Sequence, residues 1–360
     1  MSSKTITVLH LVGGLEWRGG CAQVVEKLAS TRIPGVNHCV WMHCDYKPTT
    51  GELLFIAKGR ARNLNTGLFQ DLLAVLHEFG PLFRWARGRD RLVLQAHSRA
   101  GIFAASLVHW LTGARLIIHL HFLAGHPWLY RCLQRIFCAK MIYNSKRTCL
   151  HYGDDPHKAS IFVPPITWPS QPPCGQDGPP RFMASGAFVP SKHFDLIVEA
   201  FSRLRAKGVR AELMIFGLSD TPLDPVHQQR IVDVCAGKAA IDLRPWTPDW
   251  VGQLSAKDVF IHMGEPESFG IVLLEAFARG CRLLVLPDTF LNDLPEPLCS
   301  EGIYRLQKLA AEELAQQMKK IIEEVALPSE FWHTRRNASR FFSCEHSAAE
   351  WARLYASLMA

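Results

Sequence analysis

The stretch Glu265-Pro-Glu-Ser-Phe-Gly-Ile-Val-Leu-Leu-Glu-Ala-Phe-Ala-Arg-Gly280 carries the most specific pattern of this 360-residue chain. The apolar run before it, 258–263, predicts a buried strand, and its Glu-Ala-Phe-Ala-Arg-Gly end is typical of a helix that ends at glycine. A strand, a glycine-containing loop and a helix start present backbone N–H groups to a phosphate. The carboxylates of Glu267 and Glu275 suit the hydroxyls of a sugar or a ribose. The pattern therefore predicts a nucleotide-sugar site, although on spacing alone the two glutamates fit a solvated pair at a helix start equally well.

The rest of the chain alternates short apolar runs with longer amphipathic ones, which predicts βαβ units and parallel sheets. A chain of 360 residues exceeds the roughly 250–300 at which a single core stops growing. Seven prolines in 163–180 exclude a helix or a central strand and mark a semi-rigid linker. We therefore expect an α/β protein of two Rossmann-like, doubly wound domains facing across a cleft, because such sheets bind ligands at the carboxyl ends of their strands. The expected parts are an N-terminal domain at 1–163, a linker at 164–180, a C-terminal domain at 181–335 and a final helical segment at 336–360.

Composition and charge exclude several classes of protein. The chain is 48% hydrophobic and 20% charged, and it has neither a run of roughly 18 apolar residues nor the apolar core of a signal peptide, so we expect a cytoplasmic protein. Its eleven cysteines form no CxxC pairs, so neither zinc nor a disulfide framework is predicted. The net charge of +7 favours anionic partners, and the arginine-rich segment 83–91 suits either a solvated helix end or an anionic membrane surface. No nucleic-acid-binding module is recognisable.

The stretch 265–280 resembles the Glu-x7-Glu signature of retaining glycosyltransferases of the GT-B fold, glycosyltransferase family 4. Ser268 stands where those enzymes usually have glycine. The resemblance implies an acceptor site mostly on the first domain, a nucleotide-sugar site mostly on the second, and a last helix that returns to the first. It also implies that Glu275 accepts hydrogen bonds from ribose hydroxyls, and Glu267 from hydroxyls of the transferred sugar.

Two histidines follow predicted strands of the first half, where side chains reach the ligand edge of a sheet. His97 follows the run 92–96, and His121 follows the run 116–120. A lone histidine is more often a core or surface residue than a catalytic one. The family carries a histidine at each of these strand ends, and the resemblance places His121 near the transferred sugar. We expect the neighbouring His119 to point to the opposite face of the strand.

The loop after the predicted strand 181–185 departs from the family. Lys192 matches a lysine that pairs with the donor diphosphate. Ala187 replaces the family's arginine, and His193 replaces the glycine after the lysine. With one cation gone, the leaving group depends on His193 or on the N–H groups near 269–272, or else the activity is weak or lost.

The resemblance assigns the candidate site residues by matching positions. It implies catalytic roles for Glu267, His121 and Lys192. Donor contacts are expected from Glu275, Ser268, Phe269, Gly270, Ile271, Val272, Gly14, Gly186 and Gly217. Acceptor contacts are expected from Glu16 and His97. No metal ligand and no cofactor are predicted, and the nucleotide of the donor, UDP, GDP or ADP, is left open.

These observations predict a cytoplasmic, metal-independent retaining glycosyltransferase. It would move a sugar from a nucleotide-sugar donor to a glycan, a lipid-linked acceptor or a lipopolysaccharide in cell-envelope polysaccharide biosynthesis, with peripheral association with the inner face of an anionic membrane. Two alternatives stay open. One is a non-catalytic nucleotide-sugar-binding protein, which Ala187 favours, and the other is a nucleotide-sugar epimerase of similar fold.

Overall fold

The structure, a computed structural model, describes residues 5–12, 20–41, 54–55, 68–170, 178–296, 298–324 and 330–360. Contacts between Cα atoms divide the chain into two units. The N-terminal unit comprises Met1–Thr167 and Phe341–Ala360, and the C-terminal unit comprises Trp168–Arg340. The chain therefore leaves the first unit within the proline-rich segment and returns to it for its last residues.

A seven-stranded parallel sheet forms the centre of the N-terminal unit, in the order β3-β2-β1-β4-β5-β6-β7. Its strands are β1 (Ile6–Leu11), β2 (Val36–Trp41), β3 (Leu54–Phe55), β4 (Leu92–Ala96), β5 (Arg115–Leu120), β6 (Lys140–Tyr143) and β7 (Ser160–Ile161). Its helices are α1 (Gly20–Ser30), α2 (Leu68–Ala86), α3 (Arg99–Thr112), α4 (Pro127–Ile136), α5 (Lys146–His151) and α12 (Cys344–Met359). This is a Rossmann-like order, in which the progress of the chain reverses between β1 and β4.

Local sequence explains the elements at this reversal. β4 is buried throughout and β5 is buried after its first residue, as expected for strands that are covered on both faces. α3 begins after Ser98, whose Oγ accepts a hydrogen bond from the N–H of Gly101, and it ends at Gly113 in the left-handed conformation. Only His97 and Ser98 separate β4 from α3, so His97 is held at the carboxyl edge of the sheet.

The last helix packs on the N-terminal sheet. Trp351, Leu354 and Tyr355 of α12 share a buried cluster with Val8 of β1 and with residues of the neighbouring strands. The Tyr355 hydroxyl also donates a hydrogen bond to Gln95 Oε1 at 2.7 Å. The end of the chain is therefore part of the core beneath β1 and β4.

A six-stranded parallel sheet forms the centre of the C-terminal unit, in the order β10-β9-β8-β11-β12-β13. Its strands are β8 (Arg181–Ser185), β9 (Glu212–Leu218), β10 (Ile241–Pro245), β11 (Val259–His262), β12 (Arg282–Val285) and β13 (Ile303–Arg305). Its helices are α6 (Phe194–Ala206), α7 (Pro225–Cys235), α8 (Ile271–Ala278), α9 (Ala311–Glu323) and α10 (Glu330–Arg336), and α11 (Ser339–Phe342) spans the boundary between the units. The order is again Rossmann-like, and the reversal lies between β8 and β11.

The predicted α/β class with two Rossmann-like, doubly wound sheets is confirmed. The sequence does not predict the short strands β3, β7 and β13, because two or three residues carry no periodic pattern and only pairing with a neighbour defines them. The pattern also predicts a helix at 249–256, where the structure has a 3-10 turn at Pro248–Gln253.

Within the described ranges, no helix is both long enough and apolar enough to span a bilayer. The nine cysteines in the same ranges are free thiols.

Candidate functional site

The loop between β11 and α8 lies at the carboxyl end of the C-terminal sheet, beside the β8–β11 reversal. Gly270 is the N-cap of α8, and its φ of 81° lies in the left-handed region that favours glycine. The first helical hydrogen bonds run from the N–H groups of Leu273 and Leu274 to the carbonyl oxygen of Gly270. The N–H groups of Ile271 and Val272 precede these bonds and have no acceptor within the helix, so the helix start attracts anions.

The side chains around this helix start differ in burial. Phe269 and Ile271 are buried, and the Phe269 ring stacks on Phe290 with a centroid distance of 4.5 Å. These two residues can therefore reach a ligand only through their backbone. Ser268 is half-buried. Glu275 lies in the second turn of α8 and is only 8% exposed, which is unusual for a carboxylate.

Lys192 and Glu267, 75 residues apart in sequence, form an ion pair. Lys192 Nζ donates to Glu267 Oε2 at 2.6 Å, and His262 Nε2 lies 3.1 Å from the same oxygen. Burial alone would raise the pKa of Glu267, but the hydrogen bond from His262 and the charge of Lys192 outweigh it and hold the pKa well below its ordinary value. Glu267 is therefore a carboxylate, and within the described part of the chain both of its hydrogen bonds reach Oε2.

Glycines make room for this cluster. A Cβ at Gly264 would lie 2.9 Å from Lys192 Nζ, so a side chain there would displace the lysine. A Cβ at Gly217 would lie 2.1 Å from the carbonyl oxygen of Gly186, because the ends of β8 and β9 approach closely. Gly217 is therefore required by packing, whether or not it also contacts a ligand.

Ala187 and His193, the two positions at which the sequence departs from the pattern it resembles, lie in the same loop. His193 has a φ of 52°, in the left-handed region that costs a non-glycine residue about 1–2 kcal/mol. The resemblance predicts glycine at this position, and the backbone here has the conformation that glycine favours. Ala187 is exposed, and a longer side chain can extend from it into solvent.

Four histidines form a continuous hydrogen-bonded chain in the N-terminal unit. His38 Nδ1 lies 2.9 Å from His10 Nε2, His10 Nδ1 lies 3.0 Å from His97 Nε2, and His97 Nδ1 lies 2.9 Å from His121 Nε2. The four residues come from β1, β2 and the ends of β4 and β5, which are adjacent strands at the reversal. We call them the histidine chain.

Burial keeps the histidine chain uncharged. It lowers the pKa of His38 to about 4 and that of His121 to about 3. It also lowers the pKa of His10 and His97 well below the ordinary value, with a further contribution from neighbouring histidines. A neutral imidazole has one N–H and one acceptor nitrogen, so three consecutive bonds allow only two arrangements, in which all rings donate in the same direction. The tautomers of the four rings are therefore linked.

A fifth histidine lies beside this chain. Gln95 Nε2 lies 3.2 Å from His119 Nδ1, and the ring centroids of His119 and His121 are 4.0 Å apart. The expectation that His119 points away from His121 is wrong, because residues two apart along a strand share a face. His119 thus belongs to the same buried aromatic cluster.

A family match covers most of the C-terminal unit. Residues 175–334 match the family model of glycosyl transferases group 1. By sequence alone, no curated protein matches the chain significantly.

Three solved structures share the fold at low sequence identity. Anabaena HepE, crystallised with UDP and glucose, is 14% identical over 98% of this chain and 100% of its own, with a TM-score of 0.75. A glycosyltransferase from Rickettsia africae ESF-5 is 15% identical over 99% of both chains, with a TM-score of 0.71. WaaB, a lipopolysaccharide outer core galactosyltransferase, is 14% identical over 98% of this chain and 99% of its own, with a TM-score of 0.66. The similarity establishes the GT-B fold.

The structure brings several predicted residues together. Within the group 1 segment, Lys192 contacts Glu267, and in the N-terminal unit His97 contacts His121. Two predicted residues lie in 13–19, outside the described residues: Gly14 and Glu16.

Three histidines near these sites are not predicted by the sequence patterns. His262 ends β11 and binds Glu267, whereas His10 and His38 continue the chain behind His97. The available signal was a histidine within or at the end of an apolar strand. The same signal indicates His97 and His121. The partner of each histidine depends on which strands are neighbours in the sheet, and the signal does not give that order.

Proposed function

We propose that this chain is a retaining glycosyltransferase of family 4 that moves a sugar from a nucleotide-sugar donor to a glycan, a lipid-linked acceptor or a lipopolysaccharide. The observation that carries the proposal is the cluster of Lys192, Glu267 and His262 beside the start of α8, within the group 1 segment. A helix start that attracts anions and a fixed carboxylate suit the two parts of such a donor, its diphosphate and its sugar.

The proposed diphosphate contacts combine backbone and side-chain donors. The N–H groups of Phe269, Gly270, Ile271 and Val272 face the phosphate oxygens at the positive end of the α8 dipole. Lys192 has three N–H donors, of which one is used by Glu267. The others neutralise charge on the departing nucleotide. In this scheme the diphosphate is bound without a divalent cation. We therefore propose that the transfer is metal-independent.

The proposed sugar contacts follow from the state of Glu267. Because Lys192 and His262 occupy Oε2, the other oxygen, Oε1, accepts a hydrogen bond from a hydroxyl of the transferred sugar. Glu275 accepts from the ribose hydroxyls. We propose further donor contacts from Ser268, Gly186 and Gly14. Gly217, in β9, allows the end of that strand to lie close to Gly186.

In the proposed reaction, the bond between the anomeric carbon and the diphosphate oxygen breaks, and the new bond to the acceptor oxygen forms on the same face. The acceptor proton passes to the leaving diphosphate oxygen, which balances the charge. Bond formation on the same face retains the configuration at the anomeric carbon. His121 is proposed to hydrogen-bond the transferred sugar as a neutral ring, because burial keeps its pKa low. His97 and Glu16 are proposed to contact the acceptor.

We propose that the protein is cytoplasmic and associates peripherally with an anionic membrane that carries its acceptor. Exposed arginines follow α2, and Arg89 lies over the Trp85 ring at 4.2 Å from its centroid. The N-terminal unit also exposes Trp110, Trp128 and Ile136. Cationic and aromatic groups together suit the headgroup region of a bilayer. WaaB, which acts in the lipopolysaccharide outer core, supports a cell-envelope acceptor.

A donor panel tests the proposal. UDP-sugars come first, because HepE was crystallised with UDP and with UDP-glucose, and GDP- and ADP-sugars follow. We expect one donor to bind by calorimetry, and we expect nucleotide release only when an acceptor is added. Glu275→Ala should weaken donor binding at least tenfold. Unchanged affinity in this variant would contradict the proposed site.

The same assay separates the two alternatives. The exposed Ala187 in place of an arginine favours a protein that binds a nucleotide sugar without transferring it. Such a protein would bind the donor, and no added acceptor would cause release of the nucleotide. An epimerase would instead convert the donor sugar in the absence of an acceptor.

A further inference from the structure

The end of the histidine chain that contains His97 and His121 lies beside a cysteine. Cys21 is the second residue of α1, and its Sγ lies 3.6 Å from the carbonyl oxygen of His97. One ligand atom each from Cys21, His97 and His121 all lie within 4.8 Å of one another. The three residues are far apart in sequence, and the adjacency of β1, β4 and β5 brings them to one point at the carboxyl edge of the sheet.

We propose that Cys21, His97 and His121 bind one zinc ion in the N-terminal unit. The donor set, one thiolate and two imidazoles, is the set that zinc prefers, whereas magnesium and calcium require oxygen ligands. Three protein ligands leave the fourth tetrahedral position to water or to a hydroxyl of a bound molecule. The inference does not rest on the proposed glycosyl transfer.

The two imidazoles need only a small adjustment to accept the ion. His97 Nδ1 and His121 Nε2 are 2.9 Å apart and share a hydrogen bond. Two nitrogens bound to zinc at about 2.0–2.1 Å in a tetrahedron lie roughly 3.4 Å apart. The rings must therefore separate by about half an ångström. Cys21 must release its thiol proton, and this is the only proton lost when the two neutral rings turn their lone pairs to the metal.

The rest of the histidine chain supplies an outer shell. When His97 Nδ1 binds zinc, its proton sits on Nε2 and is donated to His10 Nδ1, which is 3.0 Å away. His10 then donates to His38 Nδ1. Second hydrogen bonds of this kind hold zinc-binding histidines in the correct tautomer and orientation. In this arrangement the proton of His38 lies on Nε2, which is buried and has no partner in the described part of the chain, so zinc binding must also offset that desolvation.

Metal binding by the full-length protein tests the proposal. The purified chain is stripped with a chelator, dialysed against zinc chloride, and analysed for bound metal. We expect one zinc ion per chain, and we expect cobalt(II) at the same site to give a thiolate-to-cobalt charge-transfer band in the near ultraviolet. Cys21→Ser should remove that band and weaken zinc binding at least tenfold, and His121→Ala should weaken it similarly. Cys132→Ser, at an exposed cysteine, is the matched control and should behave as the wild type.

X-ray absorption spectroscopy of the zinc-loaded wild type gives a second readout that needs no variant. One sulfur and two histidine nitrogens in the first shell would agree with the proposal. A zinc shell without sulfur, a charge-transfer band that survives Cys21→Ser, or no stoichiometric binding by the wild type would each overturn it. Transfer activity plays no part in these measurements, so a failure of the proposed glycosyl transfer and a failure of the zinc site can be told apart.

Discussion

The ion pair between Lys192 and Glu267 makes a quantitative prediction about the C-terminal unit. The side chains are 26% and 15% exposed, so the pair lies between a solvent-exposed ion pair and a fully buried one. Lys192→Met removes the cation, Glu267→Gln removes the charge but keeps an oxygen acceptor for His262, and the double variant removes both. Together with the wild type these form a double-mutant cycle, which isolates the energy of the pair.

The expected coupling energy follows from the geometry. Exposed pairs contribute about 0–1 kcal/mol, and removing one partner of a buried pair costs about 3–5 kcal/mol. A short charge-assisted hydrogen bond at 2.6 Å with partial shielding should lie between these limits, at roughly 1–3 kcal/mol. A loss of about 2 kcal/mol corresponds to a roughly 30-fold larger equilibrium constant for opening of the structure that the pair closes.

Hydrogen exchange of the α8 amides, measured by mass spectrometry, reports this local opening without assuming that the two units unfold together. The exposed pair of Arg203 and Glu199, whose side chains are 47% and 55% exposed, supplies the control. Glu199→Gln should change the exchange rates of the α8 amides by less than threefold. The pKa of Glu267 is held below its ordinary value, so the contribution should be complete above about pH 4.3 and lost as the pH falls further. Coupling below about 0.5 kcal/mol at pH 7, or equal effects of Glu267→Gln and Glu199→Gln, would refute the reasoning.

Three further predictions concern the loops and the N-terminal core. Ala187→Arg places a cation beside the proposed diphosphate and should tighten binding of the nucleoside diphosphate of whichever donor binds, about tenfold by calorimetry. Unchanged affinity would place the diphosphate elsewhere. Gly217→Ala places a Cβ against a backbone oxygen and should lower the free energy of unfolding in urea by about 2 kcal/mol or more, whereas Gly80→Ala, with nothing within 4 Å of its Cβ, should be neutral or slightly stabilising. Burial lowers the pKa of His38 to about 4, so between about pH 4 and pH 6.5 the unfolded chain binds one more proton at this residue. The free energy of unfolding should therefore fall as the pH falls through this window, and His38 contributes up to about 1.4 kcal/mol per pH unit. The other buried histidines have lowered pKa values as well, so His38→Gln should reduce the slope by the share of His38 and leave the rest. An unaltered slope would show that His38 titrates alike in both states.

Much of the C-terminal site is local in sequence. The carboxylates of Glu267 and Glu275, the glycine at 270 and the helix after it lie within one short stretch, so a strand, a loop and a helix start could be predicted from periodicity and capping alone. The partners of that stretch were not predictable in the same way. Lys192 matched by position, but its direct bond to Glu267 depends on β8 and β11 being neighbours in the sheet.

In the N-terminal unit, by contrast, the clustered residues are distant from one another in sequence. Its five clustered histidines, of which four are buried and His38 is half-buried, are scattered over more than a hundred residues. The cysteine spacing gives no hint that Cys21 lies beside His97 and His121. Apolar periodicity therefore determined the class of fold and the places where strands end, because those depend on neighbours along the chain. The order of the strands decided which of those ends meet, and so created the histidine chain and the Lys192–Glu267 pair. Contacts between side chains on different strands depend on how the sheet is assembled, and no local pattern encodes that.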